Sequence, residues 1–116
     1  MTIAQLNDEF RSNPGKFSKN KVVMSVSVSA LDPVDIASLI QQVSTFSDFN
    51  KDNDPFGEHD FGVIDFVNTK YFWKIDYYDT ESLLQGEPYS LNYRSDDPAN
   101  DAVTTRVLTV MEASEY

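Results

Sequence analysis

The stretch Phe61-Gly62-Val63-Ile64-Asp65-Phe66-Val67-Asn68-Thr69-Lys70-Tyr71-Phe72-Trp73-Lys74-Ile75-Asp76-Tyr77-Tyr78 decides the fold. β-branched and aromatic residues fill it, as a pleated, half-buried surface requires. From 70 onward the order is period-two: Tyr71, Trp73, Ile75 and Tyr77 take one face, and Lys70, Phe72, Lys74, Asp76 and Tyr78 the other. The stretch reads as strands over 61–67 and 70–78 with a tight turn at Asn68-Thr69. Ile64 and Phe66 belong on the core side with Trp73.

Working outward, residues 2–13 read as a helix with Thr2 as N-cap; Ile3, Leu6 and Phe10 share one face, and Asn13-Pro14-Gly15 stops it. Residues 21–29 alternate, with Val22, Met24, Val26 and Val28 against Ser25, Ser27 and Ser29, which predicts a strand. Asp32-Pro33 opens a second helix with the stripe Ile36, Leu39, Ile40, Val43 and Phe46. Residues 47–60 are a polar loop. Residues 80–100 read as an irregular acidic connection with a short strand near Tyr89 to Tyr93. A last helix is expected from about 98–101, burying Val103, Val107, Val110 and Met111. The expected order is α-β-α-β-β-α: one α+β domain over 1–116, with a small three-stranded, mainly antiparallel sheet and helices packed on it. Trp73, Ile75, Val26, Ile40 and Val107 should be buried.

The 116 residues contain no Cys, which excludes disulfides, thiolate metal sites and cysteine nucleophiles. No apolar run spans a bilayer, and Met1 to Ala4 lack a basic start and apolar stretch, so a cytoplasmic protein without membrane association is expected. Nineteen acids against nine Lys and Arg give a net charge of −10, which disfavours direct nucleic-acid binding. The charge is unevenly placed. Residues 1–47 are neutral, whereas 48–101 hold thirteen acids and four bases. Such asymmetry marks an electrostatic face. The expected partner-binding set is Asp48, Asp52, Asp54, Glu58 and Asp60 in one cluster, and Asp79, Glu81, Glu87, Asp96, Asp97 and Asp101 in another, with Tyr89 and Tyr93 adding specificity.

Other chemistry is thinly supported. His59 lies between Glu58 and Asp60, but neighbours on an extended segment point apart and no nucleophile motif accompanies it. Residues 48–54 place oxygen ligands like the start of a calcium loop, yet Asn53 stands where the loop needs Gly and His59 where it needs Glu. No catalytic residue, metal or cofactor is expected.

Three strings, Asp52-Asn53-Asp54-Pro55-Phe56-Gly57-Glu58-His59-Asp60-Phe61-Gly62, Phe72-Trp73-Lys74-Ile75-Asp76-Tyr77-Tyr78-Asp79 and Asp97-Pro98-Ala99-Asn100-Asp101-Ala102-Val103-Thr104-Thr105-Arg106-Val107-Leu108-Thr109, resemble a bacterial family catalogued as domain of unknown function 3768. The likeness runs over nearly the whole chain; residues 81–95, with Glu87, Tyr89, Tyr93 and Arg94, look longer than the family's connection. The resemblance implies no activity. It implies the setting of accessory genes on mobile elements, often beside anti-restriction genes. With the charge, it points to a non-enzymatic inhibitor of anti-CRISPR or anti-restriction type. Such a protein would mimic nucleic acid before a basic nucleic-acid-binding protein or complex of host defence. The alternatives are a regulatory protein-interaction module using the aromatic hairpin and an enzyme centred on His59. The oligomeric state is left open.

Overall fold

Val67 and Asn68 both have positive φ, 49° and 61°, so the hairpin turns through two left-handed residues. That geometry matches the right-handed twist of the flanking strands. In this computed structural model, which describes residues 1–85 and 94–116, the hairpin joins β2 (Phe61–Phe66) to β3 (Thr69–Asp79). The turn thus falls one residue earlier than Asn68-Thr69. Asn tolerates the left-handed region, and the pairing of Phe66 with Thr69 places Val67 there beside it. Glu87, Tyr89, Tyr93 and the short strand expected near Tyr89 to Tyr93 lie outside the described residues.

The remaining elements are α1 (Ile3–Ser12), β1 (Lys21–Met24), α2 (Val26–Ser29), α3 (Pro33–Thr45), α4 (Thr80–Gln85) and β4 (Thr104–Glu112), followed by a 3-10 turn at Ala113–Glu115. Thr2 caps α1 in a reciprocal box with Gln5: the Thr2 hydroxyl accepts from Gln5 N at 3.1 Å, and Gln5 Oε1 accepts from Thr2 N at 2.8 Å. Pro33 sits in the first turn of α3, where its missing N–H costs nothing.

The α+β class holds, but among the described residues the sheet has four strands rather than three and is mixed, in the order β1-β4-β3-β2. β4 pairs antiparallel with β3 and parallel with β1. β4 replaces the expected last helix. Val103, Val107, Val110 and Met111 mimic a helical spacing, but Thr104, Thr105, Val107, Thr109 and Val110 are β-branched. An interior strand covered on both faces loses the alternation that betrays a half-exposed one. Accordingly Thr104 to Leu108 are all buried.

The second correction is the long strand expected over 21–29. β1 stops at Met24 because Ser25 becomes the N-cap of α2, its hydroxyl 3.4 Å from Val28 N. The same hydroxyl donates to Glu115 at 2.6 Å, and Ser27 N donates to the other Glu115 oxygen. An acceptor 90 residues away thus turns the chain, leaving Val28 buried and Val26 exposed at 85%.

The core lies between this sheet and the helices. Trp73 is fully buried, flanked in the sheet by Gly62 and Val110, and packed with Phe10, Val28, Leu39, Val43, Ile64, Tyr71, Ile75 and Leu108. Ile40 packs half-buried against this cluster. Val107 is buried, but its partner is Asp76, so it belongs to the sheet's other face. A Cβ added to Gly62 would land on the Trp73 indole, with Cε2 at 2.6 Å and Cζ2 at 2.9 Å. Gly62→Ala is therefore expected to destabilise the fold by about 1–3 kcal/mol, the usual range for an overpacked core, read as a lower urea midpoint.

Candidate partner-binding site

Two antiparallel junctions bring the start of β2, the end of β3 and the start of β4 to one end of the sheet. The loop carrying Asp48, Asp52, Asp54, Glu58 and Asp60 enters β2 there. Asp79 closes β3, Glu81 lies in α4, and Asp96, Asp97 and Asp101 precede β4 at the same end.

A buried polar network ties the two acidic segments together. Asn7 of α1 is fully buried; its Nδ2 donates to the Glu58 carbonyl at 2.9 Å and to Tyr77 Oη at 2.7 Å. Tyr77 in turn donates to Asp60 at 3.1 Å. Asn7 Oδ1 accepts from Arg106 Nε at 2.8 Å, and Arg106 reaches Asp101 at 3.5 Å and the Pro98 carbonyl. The Arg106 guanidinium also lies over the Tyr77 ring, 5.4 Å from its centre. Burial lowers the Arg106 pKa, with the partial compensation of Asp101 and Tyr77, and burial with the nearby Asp60 raises that of Tyr77.

His59 is held in a second network. Its Nδ1 lies 3.0 Å from both oxygens of Asp8, so an Nδ1–H donates to that carboxylate. Its Nε2 faces Asp54 at 3.6 Å, and its ring stacks on Phe49 at 3.9 Å. Asp8 is braced by Arg11 at 2.7 Å; Arg11 donates to the carbonyls of Val43 and Phe46 and lies over the Trp73 ring. The positive φ of His59, 56°, is held by these contacts and by its N–H, which donates to Asp54. Both ring nitrogens are thus directed at carboxylates of the fold itself.

Eight of the predicted acids fall into two kinds. Asp54, Asp60, Asp79 and Asp101 hold the fold. Asp54 accepts from the N–H groups of Glu58 and His59; Asp79 accepts from Ser82 N at 3.0 Å and Ser82 Oγ at 2.7 Å; Asp101 meets Arg106 and Lys19. Asp48, Asp52, Asp96 and Asp97 are exposed and make no ion pair with a described residue. Asp79, Asp96 and Asp97 share a groove with Ser82 and Arg94. Asn50 and Asn53 shape the first loop: Asn50 Oδ1 accepts from Asp52 N and Asn53 N, and Asn53 Oδ1 accepts from Asn50 N. Among the described residues no group of three or more His, Cys, Asp or Glu is placed to hold a metal ion, and no helix is long and apolar enough to cross a membrane.

Glu58 and Asp60 have pKa values raised above their ordinary 4.5 and 3.8, chiefly by burial and further by neighbouring carboxylates; the Tyr77 hydroxyl opposes the shift at Asp60. Both groups bind protons more tightly folded than unfolded. Their contribution to stability is therefore fully present below the ordinary values and lost as pH rises through the raised folded ones. Asp60→Asn keeps an oxygen for Tyr77 and removes the charge. It is expected to melt above the wild type at neutral pH, with the difference shrinking toward acid pH; Tm against pH for the two proteins measures this.

Sequence reading missed Asn7, Asp8, Arg11, Tyr77 and Arg106. Asn7 and Arg11 stand four apart beside the apolar stripe of α1, and Arg106 interrupts an apolar run. A polar residue in either setting signals burial with a partner.

The fold and this end define an acidic α+β domain whose charged loops are cross-tied by buried polar residues. The chain belongs to the family described as "Protein of unknown function (DUF3768)", which matches residues 24–115. That span includes β2, β3, β4 and both acidic segments, while Asn7, Asp8, Arg11 and β1 up to Val23 precede it. No curated protein and no solved structure matches the chain.

Proposed function

We infer that the protein is a non-enzymatic binding protein that presents the acidic end of its sheet to the Lys- and Arg-lined surface of a nucleic-acid-handling protein. It acts stoichiometrically, by occupying the track that DNA or RNA would take. The observation that supports this reading is the convergence of both acidic segments on one sheet end, cross-tied through Asn7, Tyr77 and Arg106. Exposed carboxylates that are not spent on ion pairs with described residues, such as Asp48, Asp52, Asp96 and Asp97, remain to address a cationic partner. Their field steers encounter and is screened by salt over about 8 Å at physiological strength. The mobile-element setting implied by the family likeness points to host defence, CRISPR effectors or restriction enzymes, as the class of target.

The engagement of both His59 ring nitrogens with Asp8 and Asp54 favours a loop-fixing role over catalysis. The core face of the aromatic hairpin is closed to the regulatory alternative. Tyr71 and Trp73 are buried, and Phe72 packs edge-on with Phe61 and Tyr116.

The test is competition. The protein is titrated against a guide-loaded CRISPR effector and against a restriction endonuclease, each bound to labelled DNA, over a series of salt concentrations. Release of DNA that saturates at a fixed stoichiometry and weakens with salt supports the reading. His59→Ala should compete like the wild type once its folding is verified. Turnover of a substrate, or competition that does not respond to salt, contradicts the reading.

A further inference from the structure

β1 is an edge strand of an unusual kind. Among the described residues its one partner strand is β4, with which it runs parallel, and all four of its residues are exposed. Parallel strands ordinarily lie inside sheets with both faces covered, because their pairing is slightly weaker and their faces apolar. Here Val22, Val23 and Met24 stand open at 38%, 37% and 39%, on an edge whose only charge is Lys21. The opposite edge is differently equipped: β2 carries the exposed Asp65 next to Lys70. Charged side chains of this kind blunt an edge against further pairing.

The direction of the free main-chain groups follows from one bond. Ser25 N donates to the Val110 carbonyl of β4 at 3.0 Å. Main-chain groups alternate sides along a strand, so Lys21 and Val23 also turn theirs toward β4, while Val22 and Met24 turn theirs outward. The Met24 carbonyl takes a long bond from Ser29 Oγ, 3.4 Å, which leaves its second lone pair.

We propose that β1 pairs antiparallel with β1 of a second copy of this chain, joining two four-stranded sheets into one about a two-fold axis. The outward groups of Val22 and Met24 then exchange hydrogen bonds with those of Met24 and Val22 of the second copy. Val23 meets its own equivalent at the axis as a close, non-hydrogen-bonded pair. The three cross-strand pairs are apolar, and the Val23 pair continues the groove that Val23, Val107, Thr109 and Tyr78 line on that face with the ion-paired Lys74 and Asp76.

Charge is laid out to allow this occupant. Two copies at a net −10 repel, but the acidic segments lie at the end where β4 begins, whereas β1 pairs with Val107 to Val110, toward the other end. Residues 1–47, which include β1, are neutral overall. The joined copies thus keep their acidic ends apart, and the association strengthens with salt, opposite to the proposed binding of a basic partner. Failure of one reading is therefore distinguishable from failure of the other.

Sedimentation velocity of the full chain over rising concentration tests the proposal. The expected result is a mass that climbs from 13.2 kDa toward twice that value, more readily at high salt. Val22→Pro removes an outward N–H and no bond to β4, a position where an edge strand tolerates proline. Val23→Glu sets two carboxylates face to face at the axis. Both variants should stay monomeric where the wild type is dimeric, and Val67→Glu in the β2–β3 turn should dimerise like the wild type. Circular dichroism melts verify folding, and Val23→Glu decides the matter should Val22→Pro not fold. A wild type that is monomeric throughout overturns the proposal and leaves the edge to a strand of another protein. Dimerisation of folded Val23→Glu at wild-type strength overturns it as well.

Discussion

Arg106→Ala is expected to destabilise the protein by about 3–5 kcal/mol, the range for breaking a buried, hydrogen-bonded charge network. Arg106 is fully buried, and its side chain is held by Asn7, Asp101 and the Pro98 carbonyl. Alanine leaves the buried Asn7 Oδ1 without its donor and opens a void under the Tyr77 ring. The main-chain bond from Arg106 N to Asn20 Oδ1, 2.9 Å, survives, so the strand itself should persist. Arg106→Met should lose less, because it fills most of the space but still leaves Asn7 unpaired. Urea unfolding with an unchanged slope measures both losses. A loss under about 1 kcal/mol, the worth of an exposed ion pair, would mean that this network does not tie the acidic segments together.

The same residue shows why part of the fold was legible and part was not. β3 could be read because one face is core and the other is partly open, so Tyr71, Trp73, Ile75 and Tyr77 alternate with Lys70, Lys74 and Asp76. α1 and α3 could be read from Thr2, Asp32 and Pro33, whose signals are local. β4 could not, because it is covered on both faces and carries Arg106 as a paired charge inside an apolar run. The end of β1 could not either: its alternation continues through Val28, and the chain turns because Ser25 meets Glu115 from the far terminus.

The site divides similarly. That the charge gathers between 48 and 101 is a property of sequence, and the antiparallel hairpin already implied that its flanking loops share an end. Which acids are used by the fold is a property of contacts. Asp54 and Asp101 look like Asp52 and Asp97 in a string of letters. In the structure the first two are bound to His59 and Arg106, whereas the second two are exposed and form no ion pair with a described residue.

That distinction sets the largest effect expected on binding. Reversing Asp48, Asp52, Asp96 and Asp97 to Lys removes four exposed anions and adds four cations without touching Asn7, Tyr77, Arg106 or His59. Each exposed pair is worth about 0.2–1 kcal/mol. The four reversals, each losing an attraction and adding a repulsion, should together weaken binding by about 3 kcal/mol or more, on the order of a hundredfold. Asp65→Lys, near the turn at the other end of the hairpin and similarly exposed, supplies the control.

The most direct measurement is therefore the competition titration of the wild type, the fourfold variant and Asp65→Lys against an effector bound to labelled DNA, at low and at physiological salt. On the reading that the acidic end occupies the nucleic-acid track, the wild type and Asp65→Lys displace the DNA alike. The fourfold variant should fail to do so while melting like the wild type, with the gap narrowing as salt rises. Displacement by the folded fourfold variant at wild-type concentrations would contradict it.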